Sequence, residues 1–579
     1  MNTLKTRTAR LLIIVGIFLL LPMSAYAWEP GDKELDAAIS SGDLAGYFTN
    51  ISAWLDRKTP AEPGKITEEA MTELLKDPVF ANTLDQRQFI EKHGVADLSK
   101  FAKADEANKK FLAWILKDTG KMNLYLEAAT PSRDAQRALN TYKIGVDAVA
   151  RWKQLYTEDP DTHEGTLLRL SMAFALGPPG GTAYASGQPI EWMARYKHYK
   201  AAYQNKELVP SFADLPVSDY GKVIHSWGSD KDLAWGRQMV NAWRPDLREK
   251  DQIPLIVSEV WRRFSPIPFK DFSHVLAGGG KCGPRAFFGA FICNAFGMPA
   301  IGVGQPAHAC FAAKSAHPEM EPQPGSVWKV YQGRGWQVSD CGDAMYGPQW
   351  LGEMTLRYRV AEFSLVEHLR WLASALPSKE RADALCELAR KVRKPVNTAN
   401  PLGVPADSID AVAGGMSLAQ QAADAAQKPV TVPEEPIKAP AGVIHVEAET
   451  FIKSFAEPSY PAEQKGEVWV FNCLTGGKQL YFQRNMKLSW VEYDIDVPEA
   501  GTYGMEVMVA VANVDQVLDV SGGADKLGTI KLPWTTGLWQ KTAPVDIVLK
   551  KGKQTLRISA PMQRGISIRW FELTPKGTK

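Results

Sequence analysis

From residue 28 to about residue 250, apolar positions recur at intervals of three and four, the period of a helix with one buried face. ITEEAMTELLKDP (66–78), NKKFLAWILKD (108–118) and RALNTYKIGVDAVARWKQLY (137–156) carry the pattern most clearly. Thr67, followed by Glu68 and Glu69, is a sound helix start, because its hydroxyl can cap and the acids suit the positive end of the dipole. LLRLSMAFALGPPGG (167–181) reads as an apolar helix stopped by a Gly-Pro-Pro-Gly-Gly turn. Past residue 250 the pattern changes. A helix is predicted over 253–264. GGGKCGPRAFFGAF (278–291) then opens another, with Ala286, Phe287, Phe288, Ala290, Phe291 and Ile292 on nearly every side. A helix apolar all round belongs in the middle of a domain. Gly297 and Pro299 stop it. AIGVG (300–304), HACFAAK (308–314), SVWKVYQ (326–332) and GWQVSD (335–340) read as short strands. SLVEHLRWLASAL (364–376) and DALCELARKV (383–392) close this region as helices.

Residues 396–442 contain no aromatic residue and are dominated by proline and alanine. They read as a linker, with a short helix at SLAQQAADAAQK (417–428). Residues 443–579 alternate in and out through IHVEAE, KLSWVEYDIDV, TYGMEVMVAV, APVDIVL, QTLRIS and ISIRWFEL. Many short strands separated by turns such as PEAGTY and KKGKQ predict a β-sandwich or jelly roll.

Length and composition add three constraints. A chain of 579 residues exceeds one core, so several domains are expected. Lys5, Arg7 and Arg10, the apolar run LLIIVGIFLLL (11–21) and the small-x-small site Ala25-Tyr26-Ala27 predict a signal peptide over 1–27. The chain is therefore expected to be exported, to the periplasm, the cell surface or the medium. Cleavage removes three of the 67 basic residues, leaving 64 against 65 acidic ones, so nothing points to nucleic acid. The six cysteines (Cys282, Cys293, Cys310, Cys341, Cys386 and Cys473) include no C-x-x-C pair, which argues against a zinc ribbon. His163, His198 and His225 are scattered and read as structural.

Cys282 draws the chemical question. A phosphate loop fails twice: the position that needs the first glycine holds Val275, and Cys282 stands where Ser or Thr is required. A thiol at a helix N-terminus, beside Lys281, is placed for thiolate chemistry. The glycines allow a substrate backbone close approach, and Pro284 is tolerated in the first turn. A structural disulfide, an inactive remnant and a zinc site shared with His308, Cys310 and Cys341 remain alternatives for Cys282. Cys310–Cys341 is a second pair to weigh as a disulfide, and Cys293 reads as a buried thiol. A nucleophile needs a base and an orienting group, and His308 and Asp340 lie downstream on predicted strands. The segments KCGPRAFFGAFICNAFGMPAIGVG, HACFAA and GRGWQVSD together resemble the transglutaminase-like superfamily over about 250–360. That resemblance implies a papain-related α+β fold. It makes Cys282 the nucleophile, His308 the general base and acid, and Asp340 the orienting carboxylate, with Asp343 as the runner-up. Cys310 departs from the tryptophan common at its position. The superfamily fixes acyl transfer better than it fixes a substrate.

VIHVEAETF, WVEYDIDVPEAGTYGMEVMVA, TTGLW and LKKGKQTLRIS resemble carbohydrate-binding modules of families 6 and 35. The resemblance implies aromatic stacking on a sugar at the loop end of the sandwich. Trp539 is the leading candidate, with Trp469, Tyr481 and Trp534 behind it. It also implies calcium near Glu447 and Glu449, although Arg569 stands where an aspartate is expected, and an arginine is a poor neighbour for that ion. No other cofactor is required. The expected organisation is a signal peptide (1–27), a helical region (28–250), a transglutaminase-like domain (251–395), a linker (396–442) and a carbohydrate-binding-like sandwich (443–579). The expected activity is a cysteine acyl-transfer enzyme that hydrolyses or transamidates carboxamides of protein, glycoprotein or cell-wall peptide substrates, with a glycan as second partner. The alternative is a catalytically silent surface protein that binds carbohydrate.

Overall fold

The computed structural model describes residues 28–131, 140–184, 186–249, 252–260, 267, 269–305, 308–314, 328–331, 337–338, 345–394, 442–458, 467–484, 486–561 and 565–577. The predicted signal peptide, nearly all of the linker, Asp340, Cys341 and Asp343 lie outside these residues. No helix among the described residues is long and apolar enough to cross a membrane. The chain divides into two compact units, one of residues up to Gln154 together with Ala361–Lys394, the other of the remainder.

The first unit is helical. Its helices include Leu44–Lys58, Glu68–Lys76, Pro78–His93, Glu106–Leu116 and Thr119–Ala129. Thr67 caps its helix as expected, its side chain accepting from the amide of Ala70 at 3.2 Å. The long helix read over 137–156 begins later, at Val146. Asn140 and Gly145 adopt left-handed backbone (φ 48° and 85°), which a helix cannot contain. Pro78–His93 is buried on almost every side although half of it is polar. Each polar group finds a partner, as burial demands. Gln86 donates to the Leu116 carbonyl (2.7 Å) and accepts from the Tyr47 hydroxyl (2.6 Å). Gln88 donates to Asn140 (3.1 Å), and Lys92 donates to the Asn140 carbonyl (2.6 Å). The helices Val360–Ala375 and Lys379–Val392, read from sequence as closing the cysteine region, pack mainly here. Arg381 donates to Asp56 (2.6 Å) and to the carbonyls of Thr59 (2.9 Å) and Pro60 (3.0 Å). His368 meets Asp85 (3.0 Å), and Arg87 donates to the Ser374 carbonyl (3.1 Å).

The second unit holds the cysteine helix, Cys282–Ala295, in its interior. The described part of the predicted helix over 253–264 holds a 3-10 segment, Ile253–Glu259, while 261–264 lie outside the described residues. Phe291 is fully buried, which contributes roughly 1.5–3 kcal/mol. It stacks on Phe272 at 4.0 Å and leaves no room at Gly228, where a Cβ would lie 2.6 Å from its ring. Asn294 fixes the far end of the helix by donating to the carbonyls of Lys222 (2.9 Å), Met298 (3.2 Å) and Ala300 (3.3 Å). Gly297 (φ 78°) turns the chain into an antiparallel sheet. Its strands are β1 (Ala300–Gln305), β2 (His308–Lys314), β3 (Trp328–Tyr331), β4 (Gln337–Val338) and β5 (Met345–Tyr346), in the order β3-β2-β1-β4-β5.

The C-terminal sandwich follows the predicted alternation. One sheet orders β13 (Asp525–Lys531), β12 (Val517–Gly522), β16 (Gly552–Ala560), β10 (Met486–Val497) and β7 (Lys453–Pro458). The other orders β14 (Trp539–Lys541), β11 (Gly501–Val511), β17 (Ile566–Pro575), β9 (Lys478–Phe482) and β8 (Trp469–Asn472). In it, β15 (Val545–Leu549) also pairs with β11, and β6 (Ile444–Glu447) with β17. Val491, Tyr493, Ile495, Val507, Leu556, Ile558 and Phe571 fill a core drawn entirely from this region.

Candidate functional site

Cys282 is the first residue of its helix, half-buried and not in a disulfide. Lys281 before it is extended, with no side-chain cap, so the helix's leading amides are not covered by a capping group. Gly279 (φ 76°) makes the sharp entry. The helix packs against β2, and so closely that a Cβ on Gly289 would lie 2.3 Å from the Phe311 ring. His308 opens β2, opposite Gln305 of β1, and stands one strand period ahead of Cys310. β1 also pairs with β4 at Gly304–Gln337, one residue from the Gln305–His308 pair that ends the β1–β2 hairpin. Asp340 itself lies outside the described residues.

Cys310 is buried in the sheet core with Val303, Ala312, Trp328, Trp350 and Met354. Burial pushes its thiol up to about 12, and the nearby Cys282 adds to the rise. The Cys310 thiol is therefore held in its protonated form at neutral pH, and it sits within electrostatic reach of Cys282. Cys293 is buried farther along the same helix.

The four sequence candidates for sugar stacking separate. Tyr481 is wholly buried and Trp469 nearly so. Arg244 lies over both rings, 5.1 Å from the Tyr481 centroid and 5.5 Å from that of Trp469. Trp534 is half-buried, with its indole donating to the Ala512 carbonyl (3.0 Å) and its ring edge-on to His274 (5.1 Å). Trp539, at the start of β14, is half-buried. A further aromatic pair, absent from the sequence candidates, lies on the other sheet. Trp490 of β10 and Phe455 of β7 are register partners, stacked at 5.7 Å and 20°. Phe455 is 44% exposed, and neighbouring Ile452 is 59% exposed. Arg557 covers one flank of Trp490 at 4.1 Å and is held there by Glu492 (2.6 Å).

Glu447 engages His445 (3.0 Å), which also meets Glu572 (3.2 Å). Arg569 donates to the Thr475 hydroxyl (3.1 Å) and the Gly476 carbonyl (3.0 Å). A cation at one position and an imidazole on the carboxylate at another do not suit calcium. Among the described residues no cluster of three His, Cys, Asp or Glu side chains is arranged for a metal.

No family model and no curated protein matches the chain. Solved structures do. The C-terminal region resembles carbohydrate-binding modules of families 6 and 35. The family 6 module of a marine laminarinase from Zobellia galactanivorans is 23% identical, and the match covers 23% of this chain and 98% of that one at a TM-score of 0.20. A family 6 module of lichenase 5A from Cellvibrio mixtus, solved with cellotriose, is 21% identical, with the same coverage and a TM-score of 0.20. A family 35 module from Clostridium thermocellum is 13% identical, covering 24% and 100% at 0.19.

Proposed function

We propose that this chain is an exported cysteine acyl-transfer enzyme that hydrolyses or transamidates peptide or glycopeptide carboxamides. The observation that carries the reading is the half-buried Cys282 at the N-terminus of a central helix, packed on the strand that His308 opens. In this reading Cys282 Sγ attacks the carbonyl carbon while His308 takes the thiol proton. His308 then gives a proton to the leaving amine, and a thioester remains. Water or a second amine resolves the thioester, and the thiol is restored. The helix amides favour the developing oxyanion. Asp340 is assigned to hold the imidazole. Release of ammonia or of peptides from a carboxamide substrate tests the reading. Cys282→Ala is expected to abolish release, and His308→Ala to cut it by a factor of about a hundred or more. Release that survives Cys282→Ala unchanged overturns it.

A second reading, a silent protein that binds carbohydrate through its sandwich, is favoured by the half-buried Trp490 and the exposed Phe455 stacked on it. A pyranose ring offers C–H groups to such a surface. Glycan-array binding by the full chain, lost in Trp490→Ala and kept in Trp539→Ala, supports that platform. The reverse pattern assigns the sugar to Trp539.

A further inference from the structure

We propose that the β8–β9 end of the sandwich is a permanent internal docking face, clamped on Trp243 and Arg244, that braces the segment behind the cysteine helix. The contacts are specific. The Trp243 indole donates to the Gly565 carbonyl (3.1 Å), and the Trp243 carbonyl accepts from Ser567 (2.9 Å) and Gln479 (3.3 Å). Trp235 donates to the Thr536 carbonyl (3.0 Å). Arg244 is 2% exposed and grips Asp246 with two hydrogen bonds (2.9 and 2.8 Å) while also donating to Glu259. Burial works against its charge, yet the two carboxylates outweigh that and raise its pKa. Trp469, Phe471 and Tyr481 cover the guanidinium, all within 5.6 Å. A charge this deeply desolvated is costly unless its partners stay in place.

The fit leaves no slack. A Cβ on Gly565 (φ 72°) would lie 2.6 Å from Trp243 and 2.7 Å from the Tyr481 hydroxyl, and one on Gly537 (φ 80°) 2.5 Å from Met239. The sandwich does not need this face for its own core, which lies elsewhere. The face instead leads toward the cysteine helix. Glu259 ends the 3-10 segment Ile253–Glu259, and Arg285 of the cysteine helix donates to the Val257 carbonyl of that segment (3.5 Å). Two rings that the sequence offered to sugar are thus spent on an internal clamp. The inference does not depend on Cys282 being a nucleophile.

A site-specific protease sequence placed within residues 396–442 tests it on the full chain. After cutting, the two fragments are expected to co-elute at the intact volume in size-exclusion chromatography at micromolar concentration. Separation of the wild-type fragments overturns the proposal. In the doubly substituted Trp243→Ala, Arg244→Met chain, association is expected to weaken at least about thirtyfold. Gly565→Val, on the sandwich side of the same contact, is expected to do likewise. Each variant changes only one fragment, so circular dichroism of the separated fragments distinguishes lost docking from lost folding. Undiminished association of all these fragments overturns the assignment of the clamp.

Discussion

The buried pair of His368 and Asp85 makes the helical unit's stability fall with pH over a defined window. His368 Nδ1 lies 2.7 Å from the Ser364 carbonyl and Nε2 lies 3.0 Å from Asp85. Both ring nitrogens face acceptors, which only the protonated imidazolium satisfies. Burial opposes that charge, but Asp85, the Ser364 carbonyl and Glu127 outweigh it and raise the pKa from 6.5 to about 8. The displacement is worth about 2 kcal/mol. Because the folded value lies above the unfolded one, this stability is fully present below pH 6.5 and lost as pH rises through 8. Burial also raises the carboxyls of Asp85 and Glu127, which adds a fall in stability that begins in the acid range. Burial lowers His93 to about 4, so it lifts stability only between pH 4 and 6.5. Burial lowers Lys92 to about 8, so it lifts stability only above pH 8. Urea titrations of the full chain, read by hydrogen exchange across residues 78–93 and 360–375, measure the loss. The double variant Asp85→Asn, His368→Gln removes both charges and is expected to decline less steeply between pH 6.5 and 8. An equal decline in that variant would falsify the ion-pair account.

Gly289→Ala is expected to destabilise the second unit by about 1–3 kcal/mol in denaturant titration, because the new methyl meets Phe311. Under the proposed acyl-transfer function it is also expected to lower turnover, since the shift moves β2 away from the helix. Gly565→Ala adds left-handed strain to a clash with Trp243 and is expected to cost about 2–4 kcal/mol. Ser229→Ala removes half of the capping box on the helix Asp230–Trp243 and is expected to cost about 1 kcal/mol. A melting temperature unchanged by either of these last two substitutions counts against the geometry at its site. Iodoacetamide is expected to alkylate Cys282 faster than Cys310 in the folded protein. Equal rates, read by mass spectrometry, contradict the burial of Cys310.

Local periodicity made much of the fold legible. The all-apolar helix after Cys282, its stop at Gly297 and the alternating strands of the sandwich were readable because each follows from side-chain spacing alone. The helix Pro78–His93 was not readable as a core element, since Asp85, Gln86, Arg87, Gln88 and Lys92 look like a solvated face. Their burial depends on partners at residues 47, 116, 140 and 368, which no local window contains. The destination of Val360–Ala375 was hidden for the same reason. Its apolar stripe suits any core, and only the match of His368 and Ser374 to Asp85 and Arg87 selects one.

The candidate sites divide along the same line. The places of Cys282 at a helix start and of His308 at a strand start were legible because each follows from local pattern, and β2 packing on the helix is a short-range consequence. Trp490 was also legible in principle: in KLSWVEYDIDV the inward positions are Val491, Tyr493 and Ile495, so Trp490 shares the outward parity of Glu492 and Asp494. An aromatic at an outward strand position lacks a core reason to be there, which makes that parity a second guide to a candidate surface beside position at a loop end. Trp469 and Tyr481 show why. Their place in the sandwich made them look available, but an aromatic surface also suits a guanidinium, and Arg244 arrives from 225 residues upstream of Trp469 to take it. The same stacking chemistry serves sugar or arginine, and only the tertiary fold decides which occupies the ring.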